Sequence, residues 1–161
     1  MDIPGLIVFD LDFTLWDCGG RWIDCTAWPF RSEEGRVFDR QDSEFHLYAN
    51  VRDILSDLEE QDCDLALASR TSQPSWATWL LEEWNLTGKF RYQEIYPGSK
   101  VEHFQRLSEQ SGLAFSEMLF FDDEERNIVE VGELGVTAIH VTSGVSHEHL
   151  QAGLQQWKQN S

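Results

Sequence analysis

Residues 6–14 read LIVFDLDFT, and this stretch decides the fold. Its first four residues form a short apolar run that predicts a buried strand. Asp10 and Asp12 follow at once, and two carboxylates two positions apart at the end of a strand point the same way. Like charges are costly to bury unless a cation or a reaction uses them. At the carboxyl edge of a parallel sheet they indicate a nucleophile, an acid/base partner and a metal site together; the alternative is an acidic turn capped by Thr14.

Strand-like and helical segments alternate along the rest of the chain. Four further strands are predicted, at residues 65–68, in FRYQEIYPG (90–98), at 118–121 and in VTAIHV (136–141). Helical spacing follows each of them, and a first helix is predicted to begin with Asn50 as its N-cap. This alternation predicts a single Rossmann-like α/β domain over residues 1–161, with a parallel sheet of about five strands between helices.

Residues 15–48 interrupt the alternation of strands and helices, because they are neither helical nor strongly apolar. A structureless loop of that length is improbable in a compact domain, so a small flap or β-hairpin is predicted after the first strand. Three tryptophans of the flap either line a substrate entrance or give the flap a core of its own, and the core is favoured: Trp16, Trp22 and Trp28. Three more are expected to pack a helix on the sheet: Trp76, Trp79 and Trp84.

The composition excludes several classes of partner. A formal net charge of −17 disfavours nucleic acid and anionic membrane surfaces, and no apolar run has the length of a membrane span. Cys18, Cys25 and Cys63 are odd in number and lack metal-ligand spacing, so reduced thiols in the cytoplasm or nucleus are expected, with no signal peptide. A monomer is the default expectation, and a dimer stays open.

Polar residues fall at the carboxyl ends of four predicted strands or in the turns that follow. They are Asp10 with Asp12, Ser69 with Arg70, Lys100, and Asp122 with Asp123. Since these strand ends share one edge of an open parallel sheet, the side chains are expected to converge. Each alone has a plainer interpretation, such as a turn serine, a solvated lysine, a surface arginine or a helix cap. Their joint order favours a catalytic site.

The motifs DLDFTLW, ASRTS, EIYPGSK and FFDDEERNI resemble those of the haloacid dehalogenase (HAD) superfamily, whose first motif is Asp-x-Asp-x-Thr/Val. More closely, the chain resembles the eukaryotic magnesium-dependent phosphatases, which are small members without a large cap. The similarity extends from Leu6 to about Trp157 and is weakest around residues 17–26. The resemblance implies a capless HAD fold and Mg²⁺-dependent hydrolysis of phosphate monoesters.

The residue chemistry and the resemblance assign the same roles to the acidic residues. A carboxylate and a phosphate dianion about 4 Å apart repel by roughly 8 kcal/mol at an effective dielectric constant of about 20. Mg²⁺ held by Asp10, Asp122 and the backbone carbonyl of Asp12 would offset that repulsion, with Asp123 as a ligand or a water-mediated anchor. Asp10 is then the nucleophile that forms an aspartyl phosphate, and Asp12 is the general acid and base.

The remaining site residues are expected to bind the phosphoryl group. Ser69 and neighbouring N–H groups would hold its oxygens, Lys100 would orient Asp10 and stabilise charge, and Arg70 would contact the phosphate or the rest of the substrate. The resemblance implies three classes of substrate: phosphotyrosine in peptides or proteins, small sugar phosphates, and phosphorylated sugar adducts on amines. Two alternatives remain: a receiver-like domain, and a degenerate module that binds phospho-ligands without turnover.

Overall fold

The central layer of the protein is a parallel β-sheet. A computed structural model describes residues 2–161. The strands are β1 (Leu6–Phe9), β2 (Trp16–Asp17), β3 (Arg31–Glu33), β4 (Arg36–Phe38), β5 (Glu44–Leu47), β6 (Asp64–Ser69), β7 (Tyr92–Ile95), β8 (Met118–Asp122) and β9 (Thr137–His140). Five of them lie side by side in the order β7-β6-β1-β8-β9, and all their pairings are parallel. The predicted five-stranded parallel sheet is therefore confirmed.

Helices cover both faces of this sheet. They are α1 (Val51–Glu60), α2 (Pro74–Glu83), α3 (Lys100–Ser111), α4 (Glu125–Gly132) and α5 (His147–Asn160). Because side chains alternate along a strand, Leu6 and Val8 of β1 join the apolar layer under α3 and α4, while Ile7 and Phe9 join the layer under α1, α2 and α5. No helix within residues 2–161 combines the length and apolar character needed to cross a bilayer. The predicted α/β sandwich is confirmed, and the described residues contain no large cap.

The segment between β1 and α1 folds as a second, antiparallel sheet. Its strand order is β2-β5-β4-β3, and β2 leaves the first motif directly. The turn between β1 and β2 is tight, because Leu11 accepts hydrogen bonds through its carbonyl from the N–H groups of Thr14, Leu15 and Trp16. Phe13 lies in this turn with a φ of 62°, a strained conformation for an aromatic residue. We refer to residues 15–48 as the flap.

The flap packs against α2 rather than enclosing a core of its own. Trp28 stacks on Trp76 with ring centroids 5.7 Å apart and planes 8° from parallel, and Phe30 meets Trp79 edge to face at 5.7 Å. Trp76 and Trp79 are also partly buried against the main core, which includes side chains of the sheet, so the flap adds contacts that the sequence did not predict. Of the flap tryptophans, Trp16 is fully buried in the main core.

Asn50 is the N-cap residue of α1, as predicted, but it does not cap the helix through its side chain. Its Oδ1 instead accepts from the N–H of His147, at the start of α5. By contrast, α3 begins after Ser99, whose hydroxyl accepts from the N–H of Val101, and ends at Gly112 with a φ of 73°.

Candidate active site

The carboxyl edge of the central sheet brings together the residues that the sequence singles out. Asp10 directly follows β1, Ser69 ends β6, Lys100 begins α3 after β7, and Asp122 ends β8. One pocket at this edge is lined by six of the seven predicted residues: Asp10, Asp12, Ser69, Arg70, Lys100 and Asp123. Asp122, the seventh, is fully buried and lies within reach of the same carboxylates.

Lys100 connects the two acidic strand ends. Its Nζ lies 3.0 Å from Asp10 Oδ1 and 3.0 Å from Asp122 Oδ2, and it also donates to the carbonyl of Ala68. The other oxygen of Asp10 accepts from the hydroxyl of Thr14 at 3.2 Å. Burial alone would lower the pKa of Lys100, but Asp10 and Asp122 outweigh it and raise that pKa. A solvated lysine at a helix start, the plainer interpretation, is wrong, because Lys100 is only 1% exposed.

Three carboxyl groups form a cluster beside this lysine. Asp10, Asp122 and Asp123 each offer an oxygen within 4.8 Å of the others. The two oxygens of Asp122 accept from the backbone N–H of Glu124 at 2.8 Å and from the side-chain amide of Asn127 at 3.0 Å. These bonds tie Asp122 to the residue before α4 and to a side chain of that helix, while its carboxyl group keeps its place in the cluster.

The cluster fits a hard divalent cation. Burial, and then the charge of Asp10, raises the pKa of Asp123 to about 9 and that of Asp122 to about 6. Carboxyl groups this close cannot all ionise without a cation between them. The turn after β1 uses the carbonyls of Leu11 and Trp16 as its acceptors, which is compatible with the Asp12 carbonyl as a further ligand. This all-oxygen donor set suits Mg²⁺ rather than Zn²⁺.

Asp12 has surroundings unlike those of Asp10. Its Oδ1 accepts from Trp16 Nε1 at 2.8 Å, and its Oδ2 accepts from the backbone N–H of Ile23 at 3.0 Å. Burial raises the pKa of Asp12 to about 7, against the opposing effect of these hydrogen bonds. A carboxyl group that is still protonated near neutral pH can give a proton to a leaving group.

Ser69 and Arg70 stand at the end of β6, opposite the acidic cluster. The hydroxyl of Ser69 accepts from the N–H of Thr71 at 3.3 Å, so its own hydrogen is available to a phosphoryl oxygen. Arg70 Nη1 lies 3.3 Å from Asn127 Oδ1, which ties it to α4 at the rim of the pocket. Both residues line the pocket in which the sequence predicts phosphate binding.

Sequence reasoning missed a histidine that supports this loop. His103 is fully buried on α3, and its Nε2 lies 2.9 Å from the carbonyl oxygens of Ser69 and Tyr96. The Tyr96 ring stacks on the imidazole, with centroids 4.3 Å apart. His103 follows Lys100 by three residues, so both lie on one face of the helix. This spacing is the feature of the sequence that could have placed His103 near the site.

The flap also contributes residues that the sequence did not single out. Asp24 accepts from the hydroxyl of Thr71, from the N–H of Ser72 at 2.9 Å and from the hydroxyl of Ser72 at 2.6 Å. Burial alone would raise the pKa of Asp24, but the hydrogen bonds from Ser72 and Thr71 outweigh it and hold that pKa below its usual value.

Trp22 lies at the pocket rather than in a core. The favoured core position for Trp22 is wrong, because the residue is 53% exposed and lines the pocket.

Comparisons with known proteins agree with this geometry. A family model described as Acid Phosphatase matches residues 2–160. The chain is 45% identical to human Magnesium-dependent phosphatase 1 over 155 residues, covering 95% of this chain and 86% of that protein. It is 37% identical over 150 residues to a HAD-like hydrolase superfamily protein of Schizosaccharomyces pombe, covering 85% of each.

A solved structure supports the fold alone. A HAD-superfamily hydrolase from Ehrlichia chaffeensis superposes with a TM-score of 0.70, covering 98% of this chain and 99% of that one. The two sequences are 15% identical. The shared feature is the three-layer architecture that places the strand ends at one edge.

Proposed function

The chain belongs to the acid phosphatase family and is a magnesium-dependent phosphatase, and from this premise we propose that it hydrolyses phosphate monoesters through a phosphoryl group carried on Asp10. The resemblance of the four motifs to the HAD superfamily is confirmed by the family match and by the relatives. Mg²⁺ is the cofactor. The intermediate, the residue roles and the substrate class are parts of the proposal.

Asp10 is the nucleophile. Lys100 holds one of its carboxylate oxygens and Thr14 the other, so the side chain keeps one orientation. The carboxylate attacks phosphorus, the bond from phosphorus to the ester oxygen breaks, and an aspartyl phosphate forms. Mg²⁺ held by Asp10, Asp122 and Asp123 would supply the positive charge that offsets a repulsion of roughly 8 kcal/mol between carboxylate and phosphate dianion. Lys100 and the Ser69 hydroxyl hold the phosphoryl oxygens.

Asp12 moves the proton in both halves of the reaction. In the first half its carboxyl group gives a proton to the departing alkoxide, which leaves as an alcohol. In the second half the resulting carboxylate takes a proton from water, the water oxygen attacks phosphorus, and inorganic phosphate and the Asp10 carboxylate are released. Asp12 is then protonated again, and the cycle is complete.

The observation that carries the proposal is the contrast between these two aspartates. Asp10 is paired with the ammonium group of Lys100, whereas the pKa of Asp12 is raised to about 7 by burial. Two carboxyl groups two residues apart are thereby suited to opposite tasks, one as a nucleophile and one as an acid.

The sheet order argues against the receiver-like alternative. Numbered along the chain, the five strands of the central sheet run 3-2-1-4-5, whereas receiver domains such as CheY run 2-1-3-4-5. A phospho-ligand module would bind phosphate without turnover, and the experiment below separates it from an enzyme.

The substrate is a phosphorylated small molecule or a phosphoprotein. Phosphotyrosine in peptides or proteins, small sugar phosphates and phosphorylated sugar adducts on amines are the three candidate classes. A net charge of −17 disfavours nucleic-acid ends and anionic membranes, so neither is proposed as a partner. We propose a monomer acting in the cytoplasm.

Hydrolysis of p-nitrophenyl phosphate tests the reaction. We expect Mg²⁺-dependent release that EDTA stops and that Asp10→Asn abolishes, while mass spectrometry of acid-quenched wild-type enzyme detects one covalent phosphoryl group. Asp64→Asn is the matched control, because Asp64 is exposed at the opposite end of β6, where it pairs with Arg91. Phosphate binding without turnover would favour the binding module, and full activity in Asp10→Asn would reject the nucleophile.

A further inference from the structure

The carboxylate of Asp24 joins the flap to residues 70–73, the loop between β6 and α2. Its Oδ1 accepts from the hydroxyl of Thr71, and its Oδ2 accepts from the backbone N–H of Ser72 at 2.9 Å and from the hydroxyl of Ser72 at 2.6 Å. These partners lie 47 and 48 residues further along the chain. No other hydrogen bond within residues 2–161 joins the flap to this loop. Asp24 is therefore the polar anchor of the flap at the pocket mouth.

On the flap side, Asp24 lies next to the residue that contacts the proposed acid. The backbone N–H of Ile23 donates to Asp12 Oδ2 at 3.0 Å. Ile23 and Asp24 belong to one 3₁₀ turn, in which the N–H of Thr26 donates to the carbonyl of Ile23 at 3.1 Å. Because the two residues are adjacent in this short turn, a shift of Asp24 would carry the Ile23 N–H with it.

On the loop side, Thr71 links Asp24 to the proposed phosphate-binding residue. The N–H of Thr71 donates to the hydroxyl oxygen of Ser69 at 3.3 Å. The Thr71 hydroxyl donates to Asp24 and at the same time accepts from the N–H of Gln73 at 3.1 Å. Thr71 and Ser69 are each 6% exposed, so water offers little replacement for these partners. Removing the Asp24 carboxylate would leave a buried hydroxyl without its acceptor, which favours a rearranged loop.

The other charges of the pocket do not compete for this carboxylate. Arg70 and Arg126 line the same pocket, but the ion pairs within residues 2–161 involve neither of them. Arg70 instead contacts Asn127 at 3.3 Å. A carboxylate has about four acceptor positions, and hydroxyl and N–H donors already occupy three of those on Asp24. This arrangement favours a role in holding the two loops over direct binding of substrate.

We propose that Asp24 is a positioning residue, which fixes the general acid Asp12 and the phosphate-binding Ser69 relative to each other across the pocket. This inference rests on the proposed phosphatase function and deepens it. Asp24 reaches the acid through Ile23 and the phosphate-binding hydroxyl through Thr71, so one carboxylate controls the placement of both groups. A displacement of about 1 Å in a positioned catalytic group can lower a rate by about 10²-fold.

Two phosphate esters that differ in the basicity of the leaving group test this role. Glycerol 2-phosphate needs a proton from Asp12 and has no charge besides its phosphate, whereas p-nitrophenyl phosphate needs little protonation. In single-turnover measurements, we expect Asp24→Ala to slow aspartyl-phosphate formation by about 10–10²-fold with glycerol 2-phosphate and by no more than about threefold with p-nitrophenyl phosphate. The half-saturating concentration should rise by a similar factor for both, because both present the same phosphoryl group to Ser69. A general loss of folded enzyme would lower both rates by the same factor.

Two further variants test the route through the loop. Asp24→Asn keeps one acceptor oxygen, so it should show the same pattern with a smaller loss, and it replaces Asp24→Ala in the comparison where circular dichroism finds the alanine variant unfolded. Thr71→Val removes the hydroxyl but keeps the shape of the side chain. Because Asp24 acts through this hydroxyl, Asp24→Ala should cost several-fold less in a Thr71→Val background than in the wild type.

Glu33→Ala is the control, since Glu33 is an exposed acid of the same flap whose ion pair with Arg31 lies outside the pocket. It should leave both rates unchanged. Equal losses with the two esters in Asp24→Ala, or fully additive losses with Thr71→Val, would overturn the inference while leaving the phosphatase function intact. Failure of the wild-type enzyme to form a phosphoryl adduct on Asp10 with either ester would instead count against the proposed function.

Discussion

Lys100 Nζ lies 3.0 Å from Asp10 Oδ1, and the two side chains are 1% and 12% exposed. The lysine reaches this position because α3 begins at the carboxyl edge of the sheet, beside the end of β1. The buried ammonium group fixes the orientation of the Asp10 carboxyl group. It also makes local folding depend on the pair, since the ammonium group is almost fully buried and would lose its charged partner.

Replacing this lysine should damage stability and activity together. In Lys100→Met, buried carboxylates lose their cation, and we expect a loss of about 3–5 kcal/mol in the free energy of unfolding, measured by urea denaturation in EDTA. We also expect kcat/KM to fall by about 10²–10³ or more, as for other groups that stabilise transition-state charge. Lys89→Met is the control, because Lys89 pairs with Glu59 on the surface and should cost no more than about 1 kcal/mol. Equal costs for the two variants would contradict this account.

Mg²⁺ binding should release protons. Burial and the charge of Asp10 raise the pKa of Asp123 to about 9, so Asp123 is largely protonated in the metal-free protein at neutral pH. A metal ligand must be deprotonated, so the apparent Mg²⁺ affinity should rise between pH 6 and pH 8, by at most about tenfold per pH unit for each proton released. Calorimetry in two buffers with different ionisation enthalpies measures that proton number. Asp123→Asn, which keeps an oxygen but cannot titrate, should release fewer protons, and the same number in both proteins would contradict the prediction.

The sequence was sufficient for the sheet and for where its acidic strand ends meet. Short continuous apolar runs, buried on both faces of the sheet, fix which segments become strands, and parallel connections then bring Asp10, Ser69 and Asp122 to one edge. The burial of Lys100 follows from the same topology, because its helix begins where β1 ends. These features depend on the local pattern of apolar residues and on the order of strands and helices along the chain, and both can be predicted from the sequence.

The docking of the flap could not be obtained in the same way. Its four strands have two to four residues each, which is too short for an alternation of apolar and polar residues to predict them. The partners of Trp76 and Trp79 depend on which surface the flap covers, and the exposure of Trp22 depends on the anchors on either side of it. The side chain of Asn50 is a further example, since it accepts a hydrogen bond from the N–H of His147, which lies far along the chain and could not be identified as its partner from the sequence. Such contacts are decided by tertiary packing.

The proton on Asp12 should make activity depend on the leaving group. Because burial raises the pKa of Asp12 to about 7, its acid form is present below that value and is lost as pH rises through it. We expect kcat/KM for alkyl phosphates to fall above pH 7, and Asp12→Asn to lower it by about 10²–10⁴. The leaving group of p-nitrophenyl phosphate needs little protonation. With this substrate, single-turnover measurements of aspartyl-phosphate formation should therefore show a weaker fall above pH 7 and a smaller loss in Asp12→Asn. Asp53→Asn on the exposed face of α1 is the control, and equal losses for both substrate types would argue against Asp12 as the acid.

His103 should act on phosphate binding through Ser69. Its Nε2 donates to the Ser69 carbonyl from inside the core, so His103→Ala removes a buried donor and should cost about 1–3 kcal/mol of stability. The displaced loop should raise KM several-fold with a smaller change in kcat, since in the proposed mechanism Ser69 holds the phosphoryl group in both the ground state and the transition state. In His103→Gln the side-chain amide can donate again, so KM should return part of the way from the His103→Ala value toward that of the wild type. A variant that had only lost packing would not show this rescue. His46→Gln on the exposed flap is the control and should change neither quantity; a kcat loss without a KM change in His103→Ala would refute this role.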